Sequence, residues 1–201
     1  MSQVLYTSDL HFRDAKVSAL RGFASVDAHD EAMIATWNQQ VRRDDIVYVL
    51  GDLTSGRSRE VEQWAIEAML SLPGRKRLVS GNHDTSHPMH SASRDPERMR
   101  DWYRAFESVD PIGMRKTSKR HIMLSHFPYD GPDGDHTPAN RHTEWRPVDV
   151  GLWLLHGHTH REQQRVHERQ IHVGFEAWGR LVTEAEVLRM IAEAEAGQQQ
   201  A

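Results

Sequence analysis

The chain has 201 residues, no cysteine and a formal net charge of −4 at pH 7. The lack of cysteine excludes disulfides and thiolate metal sites, and an acidic balance without any dense Lys/Arg block argues against stable binding of duplex nucleic acid. No apolar run approaches the roughly 20 residues that span a bilayer, so a cytoplasmic protein is expected, with one domain over residues 1–195 and a disordered tail at 196–201 that has nothing to bury.

Val4-Leu5-Tyr6-Thr7 is short and apolar and reads as a first strand. Asp27 can cap a helix running to about Arg43, with Met33, Ile34, Trp37 and Val41 as its apolar stripe. A second strand follows at residues 46–50. A helix from Ser58 or Arg59 repeats Val61, Trp64, Ala65, Ala68, Met69 and Leu72 at helical spacing until Pro73-Gly74 stops it. Arg77-Leu78-Val79 is a weaker strand, and residues 85–96 are polar and turn-rich. A helix is expected from about Pro96 to Glu107, with Met99, Trp102, Tyr103 and Phe106 facing inward; Trp37, Trp64 and Trp102 are assigned to the core. Further strands are expected at 122–124, 152–155, 171–175 and 180–182, before a last helix from Thr183 or Glu184. Helices alternate with strands early and strands crowd together late, which gives an α/β layered fold with a mixed sheet system.

Five clusters of Asp, Asn and His punctuate this order: Asp9-Leu10-His11, Gly51-Asp52, Gly81-Asn82-His83-Asp84, Ser125-His126 and Gly157-His158-Thr159-His160. Four of them directly follow a short apolar run and the third follows the weaker Arg77-Leu78-Val79, and buried strands of an α/β fold deliver functional residues where they end. Residues two apart in an extended segment share a side, so Asp9 with His11, and His158 with His160, can converge on neighbouring ions. Asp52 has two oxygens with which to bridge a pair of ions, and the Asn82 amide oxygen adds a neutral ligand. Gly51, Gly81 and Gly157 let the backbone turn tightly beside these residues. Of the 14 histidines, His29, His87, His90, His121, His136, His142, His167 and His172 have no ligand partner at close spacing and are read as solvated or hydrogen-bonded.

This series of five motifs resembles the calcineurin-like metallophosphoesterase superfamily, from about Val4 to Val182. The resemblance implies a four-layer α/β/β/α sandwich of two mixed β-sheets flanked by helices. It implies one ion held by Asp9, His11, Asp52 and His160 and another held by Asp52, Asn82, His126 and His158. His83 would stand at the leaving group, with Asp84 orienting its ring. Within the superfamily the chain is most similar to small single-domain bacterial and phage phosphoesterases. The shared features are the Asp9-x-His11-Phe12 start, Arg21-Gly22-Phe23, Ser125-His126-Phe127-Pro128 and Val173-Gly174-Phe175-Glu176-Ala177-Trp178. It departs from them at Arg13-Asp14, where they carry Gly-His, so no substrate contact is carried over to that position.

The ligand set suits Mn, Fe, Ni, Co or Zn, and Mn is the metal expected to support activity in vitro. The function expected is hydrolysis of small phosphodiesters, cyclic nucleotides among them, by in-line attack of a metal-bridging hydroxide. A phosphomonoesterase with the same site and a non-catalytic phosphoesterase-like scaffold are the alternatives. Arg141, His142 and Trp145, in the Pro/Gly/Asp/Asn-rich stretch 128–147, are expected to touch the substrate.

Overall fold

In the computed structural model, which describes residues 2–55, 58–118, 120–131 and 140–198, ten strands and six α-helices follow one another. They are β1 (Val4–Thr7), α1 (Ala15–Leu20), α2 (Val26–Gln40), β2 (Ile46–Val49), α3 (Arg59–Ser71), β3 (Arg75–Val79), α4 (Pro96–Ala105), β4 (Ser108–Asp110), β5 (Gly113–Lys116) and β6 (His121–Leu124). Then come β7 (Trp153–His156), β8 (Arg165–His167), β9 (Gln170–His172), α5 (Phe175–Trp178), β10 (Val182–Thr183) and α6 (Glu184–Gln198). One sheet has the order β10-β1-β2-β3-β4 and is parallel except for β10. The other has the order β5-β6-β7-β9-β8, parallel at its centre and antiparallel at both edges.

Strand alternation explains why the central runs are apolar throughout. Leu5, Val47, Val49 and Leu78 face a helical layer and share a core with Met33 and Trp37 of α2, Ile66 and Met69 of α3, and Trp102 of α4. The intervening Tyr6, Tyr48 and Leu50 turn the other way, into a second core with Ile122, Leu124, Leu155 and Ile171 of the opposite sheet and Val187 and Ile191 of α6. The expected architecture of two mixed sheets flanked by helices is therefore present. Among the described residues no helix is long and apolar enough to cross a membrane.

Several local expectations are corrected. Ser25, not Asp27, caps α2, its hydroxyl accepting the Ala28 N–H, and the helix ends at Gln40 because Val41 is already extended. Helix α1 was not anticipated; it is one short turn and a half capped by Asp14, which accepts the N–H groups of Lys16 and Val17. Trp37 and Trp102 are buried, but Trp64 is 38% exposed and Tyr103 is 54% exposed. Trp64 instead covers Phe12 and carries the Arg13 guanidinium on its face. The strand expected at 171–175 stops at His172, and Phe175 opens α5. Helix α6 runs on through Gln198, so residues 196–198 are helical; 199–201 lie outside the described residues.

Five loops at the carboxyl ends of β1, β2, β3, β6 and β7 carry the five clusters, the edge at which ligands bind in open α/β sheets.

Candidate metal centre

The loops converge through backbone that most residues avoid. Asp9 (φ 57°), His11 (φ 49°), Asp52 (φ 57°), His158 (φ 68°) and His160 (φ 49°) are all left-handed. Such a conformation costs a non-glycine residue on the order of 1 kcal/mol and persists only where the surroundings over-determine it. The surroundings do so here. Asp9, His11 and Phe12 donate their N–H groups to the carbonyls of Gly51, Asp52 and Leu53 at 2.9, 3.1 and 2.7 Å. The His158 N–H donates to the Asp9 carboxylate at 3.1 Å. The pairing of Asp9 with His11 and of His158 with His160 thus comes from left-handed turns and not from the alternation of an extended strand. Gly81 and Gly157 permit close approach: a Cβ there would lie 2.2 Å from Asp52 Oδ1 and 2.4 Å from Asp9 Oδ2, respectively.

Two histidines are held by one ring nitrogen so that the other faces the carboxylates, and a third stands beside them. His126 Nδ1 meets the Leu50 carbonyl at 2.8 Å, leaving Nε2 at 3.3 Å from Asp52 Oδ2 and 3.0 Å from Asn82 Oδ1. His160 Nδ1 meets Glu176 Oε1 at 2.7 Å, leaving Nε2 at 3.7 Å from Asp9 Oδ1. His11 Nδ1 lies 3.2 Å from Asp14 Oδ2, an ion-pair distance; both buried ring nitrogens lack a hydrogen-bond partner, and Nε2 lies 3.9 Å from Asp9 Oδ1. An imidazole whose Nδ1–H is donated presents a lone pair at Nε2, and lone pairs aimed at carboxylate oxygens repel unless a cation lies between them. This arrangement of engaged Nδ1 and converging Nε2 is the one found around protein-bound metals.

Two ligand groupings result: Asp9 with His11 and His160, and Asp9 with Asp52 and His126, the ligand atoms of each lying within 4.8 Å of one another. The His158 ring is 5.1 Å from that of His126. The donor set, nitrogen and oxygen without thiolate, fits a divalent ion such as Mn or Zn. Electrostatics agree. Burial opposes charge on His126, yet Asp52 outweighs it and pushes the imidazole up to about 9. Burial would likewise raise the Asp52 carboxyl, and His126 holds it well below the usual carboxylate range. The site calls for positive charge.

Asp84 has a different part from the one expected. Its carboxylate accepts the N–H groups of Gly81, Asp52 and Leu53 at 2.7, 2.9 and 3.0 Å, and it makes no hydrogen bond to the His83 ring. It ties the second loop to the third; burial first, then Asp52, pushes its own carboxyl up to about 7. His83 is placed by its backbone N–H, which donates to Asp52 Oδ1 at 2.9 Å, and burial lowers its imidazole below the usual value. His83 lines a cleft of about 450 Å³ together with His11, His160 and, from α1, Lys16, Val17 and Leu20.

Of the expected substrate contacts, His142 stands near the centre, 5.8 Å from the His158 ring, whereas Trp145 packs edge-on against buried His87 at 4.8 Å. Arg141 is exposed, none of the three lines the cleft, and residues 132–139 of that stretch lie outside the described residues. Of the eight histidines set aside, His29, His87 and His172 are buried; His90 Nε2 donates to the Asn82 carbonyl at 2.8 Å, and His136 lies outside the described residues. Asp14, Arg21 and Glu176 reach the centre without having been assigned to it, because carboxylates and guanidinium groups that act through a neighbouring ligand leave no spacing signal.

Residues 2–162 match the family model described as calcineurin-like phosphoesterase. The chain is 42% identical to the Gene 66 protein of Mycobacterium phage D29 over 98% of this chain and all of the phage protein. It is 35% identical to an uncharacterized protein of Methanocaldococcus jannaschii, covering 80% of this chain and 70% of the archaeal one. Its fold is similar to the crystal structure of a protein of unknown function from Aquifex aeolicus, with a TM-score of 0.68 at 21% identity over 95% of this chain and all of that one. With its clusters of candidate metal ligands at the strand ends and four-fifths of its length within the family's bounds, the chain belongs to the calcineurin-like phosphoesterase family of metal-dependent phosphoester hydrolases.

Proposed function

We propose that the protein is a two-metal phosphodiesterase acting on small organic diesters. The observation that carries this reading is the convergence of Nε2 of His11, His126 and His160 on Asp9 and Asp52 beside the cleft. Asp9, His11, Asp52 and His160 would hold one ion, and Asp52, Asn82, His126 and His158 the other. When bound, two divalent ions supply Lewis acidity and lower the pKa of water from 15.7 toward about 7.

The remaining work belongs to the chain. Asp9 and Asp52, fixed by the interloop hydrogen bonds, set the spacing of the ligands. His83 stands on the cleft wall and donates a proton or hydrogen bond to the departing oxygen. Preference for a diester is supported by the charge of the cleft: among its described lining residues Lys16 is the one cation not already hydrogen-bonded, and Val17 and Leu20 offer apolar surface to an organic arm. A monoester dianion would call for more positive charge than this.

The test is steady-state hydrolysis of bis-p-nitrophenyl phosphate and p-nitrophenyl phosphate by metal-stripped protein, with Mn, Ni, Mg or Zn restored. Mn is expected to restore turnover of the diester, and His83→Ala to keep both ions while losing about 100-fold or more in kcat. Preference for the monoester would make the protein a phosphatase, and no turnover of either ester with any metal would leave a scaffold.

A further inference from the structure

Two segments have no part in the reading above: Arg21-Gly22-Phe23, ahead of α2, and the turn of α5. The structure joins them. Arg21 donates from Nε and Nη2 to Glu176 Oε1 at 3.0 and 2.6 Å. The same Nη2 donates to the Asp9 carbonyl at 2.7 Å, and Nη1 lies 2.9 Å from His29 Nε2, which anchors the guanidinium in α2. The two side chains are only 6% and 14% exposed, and the guanidinium lies over the Phe175 ring at 5.3 Å. Glu176 Oε1 also meets His160 Nδ1 at 2.7 Å. One buried ion pair therefore touches two members of the grouping of Asp9, His11 and His160: the left-handed backbone of Asp9 and the ring of His160.

The consequence is chemical as well as geometric. Donation of Nδ1–H to Glu176 leaves the His160 lone pair on Nε2, pointed toward Asp9 Oδ1, and a carboxylate partner makes that nitrogen a better donor to a cation. His126 receives the same service from a neutral carbonyl, that of Leu50, so the grouping of Asp52, Asn82 and His126 does not depend on Glu176. Glu176 lies 14 residues beyond the end of the family match at residue 162, so this support is an addition to what the family model covers.

We propose that Glu176, clamped by Arg21, is a positioning residue for His160 and governs occupancy of the ion on the His11 and His160 side alone. The proposal rests on the two-metal reading. The full-length protein, stripped of metal, is titrated with Mn²⁺; bound ions per chain are counted by equilibrium dialysis, and the electron paramagnetic resonance spectrum distinguishes a coupled pair from a single ion. The wild type is expected to bind two ions with a coupled spectrum. Glu176→Ala is expected to bind one of them about 100-fold more weakly and to show a single-ion spectrum at the Mn²⁺ concentration that saturates the wild type. Glu176→Gln is expected to lose only about 10-fold, since its amide oxygen can still accept from His160 Nδ1. Urea unfolding of the metal-free variants checks that each is folded, and the near-isosteric Gln variant stands if the Ala variant is not. Unchanged binding in the folded variants, or equal weakening of both ions, overturns the proposal while the two-metal reading stands. A wild-type protein that binds no ion overturns both.

Discussion

Replacing Asp84 by Ala separates two accounts of this residue. The residue is 2% exposed, and its carboxylate is the acceptor for three backbone N–H groups, those of Gly81, Asp52 and Leu53, at 2.7, 2.9 and 3.0 Å. A buried donor left without an acceptor costs about 1–3 kcal/mol. Three such losses are not additive, because the loops relax and water enters the vacated space, so the expected cost is about 3–4 kcal/mol. That is a large part of the roughly 5–15 kcal/mol available to a domain. Asp84→Asn keeps one acceptor oxygen but sets its amide NH₂ against at least one N–H, and is expected to cost about 1–2 kcal/mol. Urea unfolding of the metal-free proteins measures both, an unchanged m-value showing that the midpoint shift reports stability. If Asp84→Ala unfolded within about 0.5 kcal/mol of wild type while losing the same turnover as His83→Ala, Asp84 would be orienting His83 and the clamp would be wrong.

Two further outcomes follow from local geometry. Gly157→Ala would put a Cβ 1.8 Å from Ser8 Oγ and 2.4 Å from Asp9 Oδ2, and should destabilise by about 2–3 kcal/mol and abolish Mn²⁺ binding in a titration. Gly197→Ala, which meets nothing within 4 Å, should unfold within about 1 kcal/mol of wild type, on the stable side. At the start of α6, Arg180 holds the Glu186 carboxyl down at about 2, and Glu186 accepts the Thr183 N–H at 3.0 Å. A carboxyl depressed on folding stabilises above its unfolded value, near 4.5, and loses that contribution as pH falls toward 2. Between those values the wild type should lose about 1 kcal/mol more than Glu186→Gln, a figure reduced for the exposure of Arg180, as read from urea midpoints against pH.

The strands and helices that pack on apolar faces were legible because burial dictates their residue pattern: Leu5 against Tyr6, and Val49 against Leu50, alternate between two cores. Elements that bury little were not. Helix α1 covers only Val17 and Ser18, and β4 and β5 are short strands whose stability comes from pairing with β3 and β6. Trp64 satisfied helical spacing yet lies where α3 meets solvent, a distinction that periodicity does not carry.

By itself the sequence determined an α/β layered fold with a mixed sheet system and the five clusters at strand ends, since both follow from local residue type and from order along the chain. Only the tertiary structure decided how the clusters converge. The left-handed turns at Asp9, His11, Asp52, His158 and His160 are held by hydrogen bonds between loops far apart in sequence. It also decided that Asp84 clamps backbone and that Arg21 reaches Glu176 across 155 positions. Such partners are set by where folded loops end in space, and nothing in the spacing of residues along the chain encodes that distance.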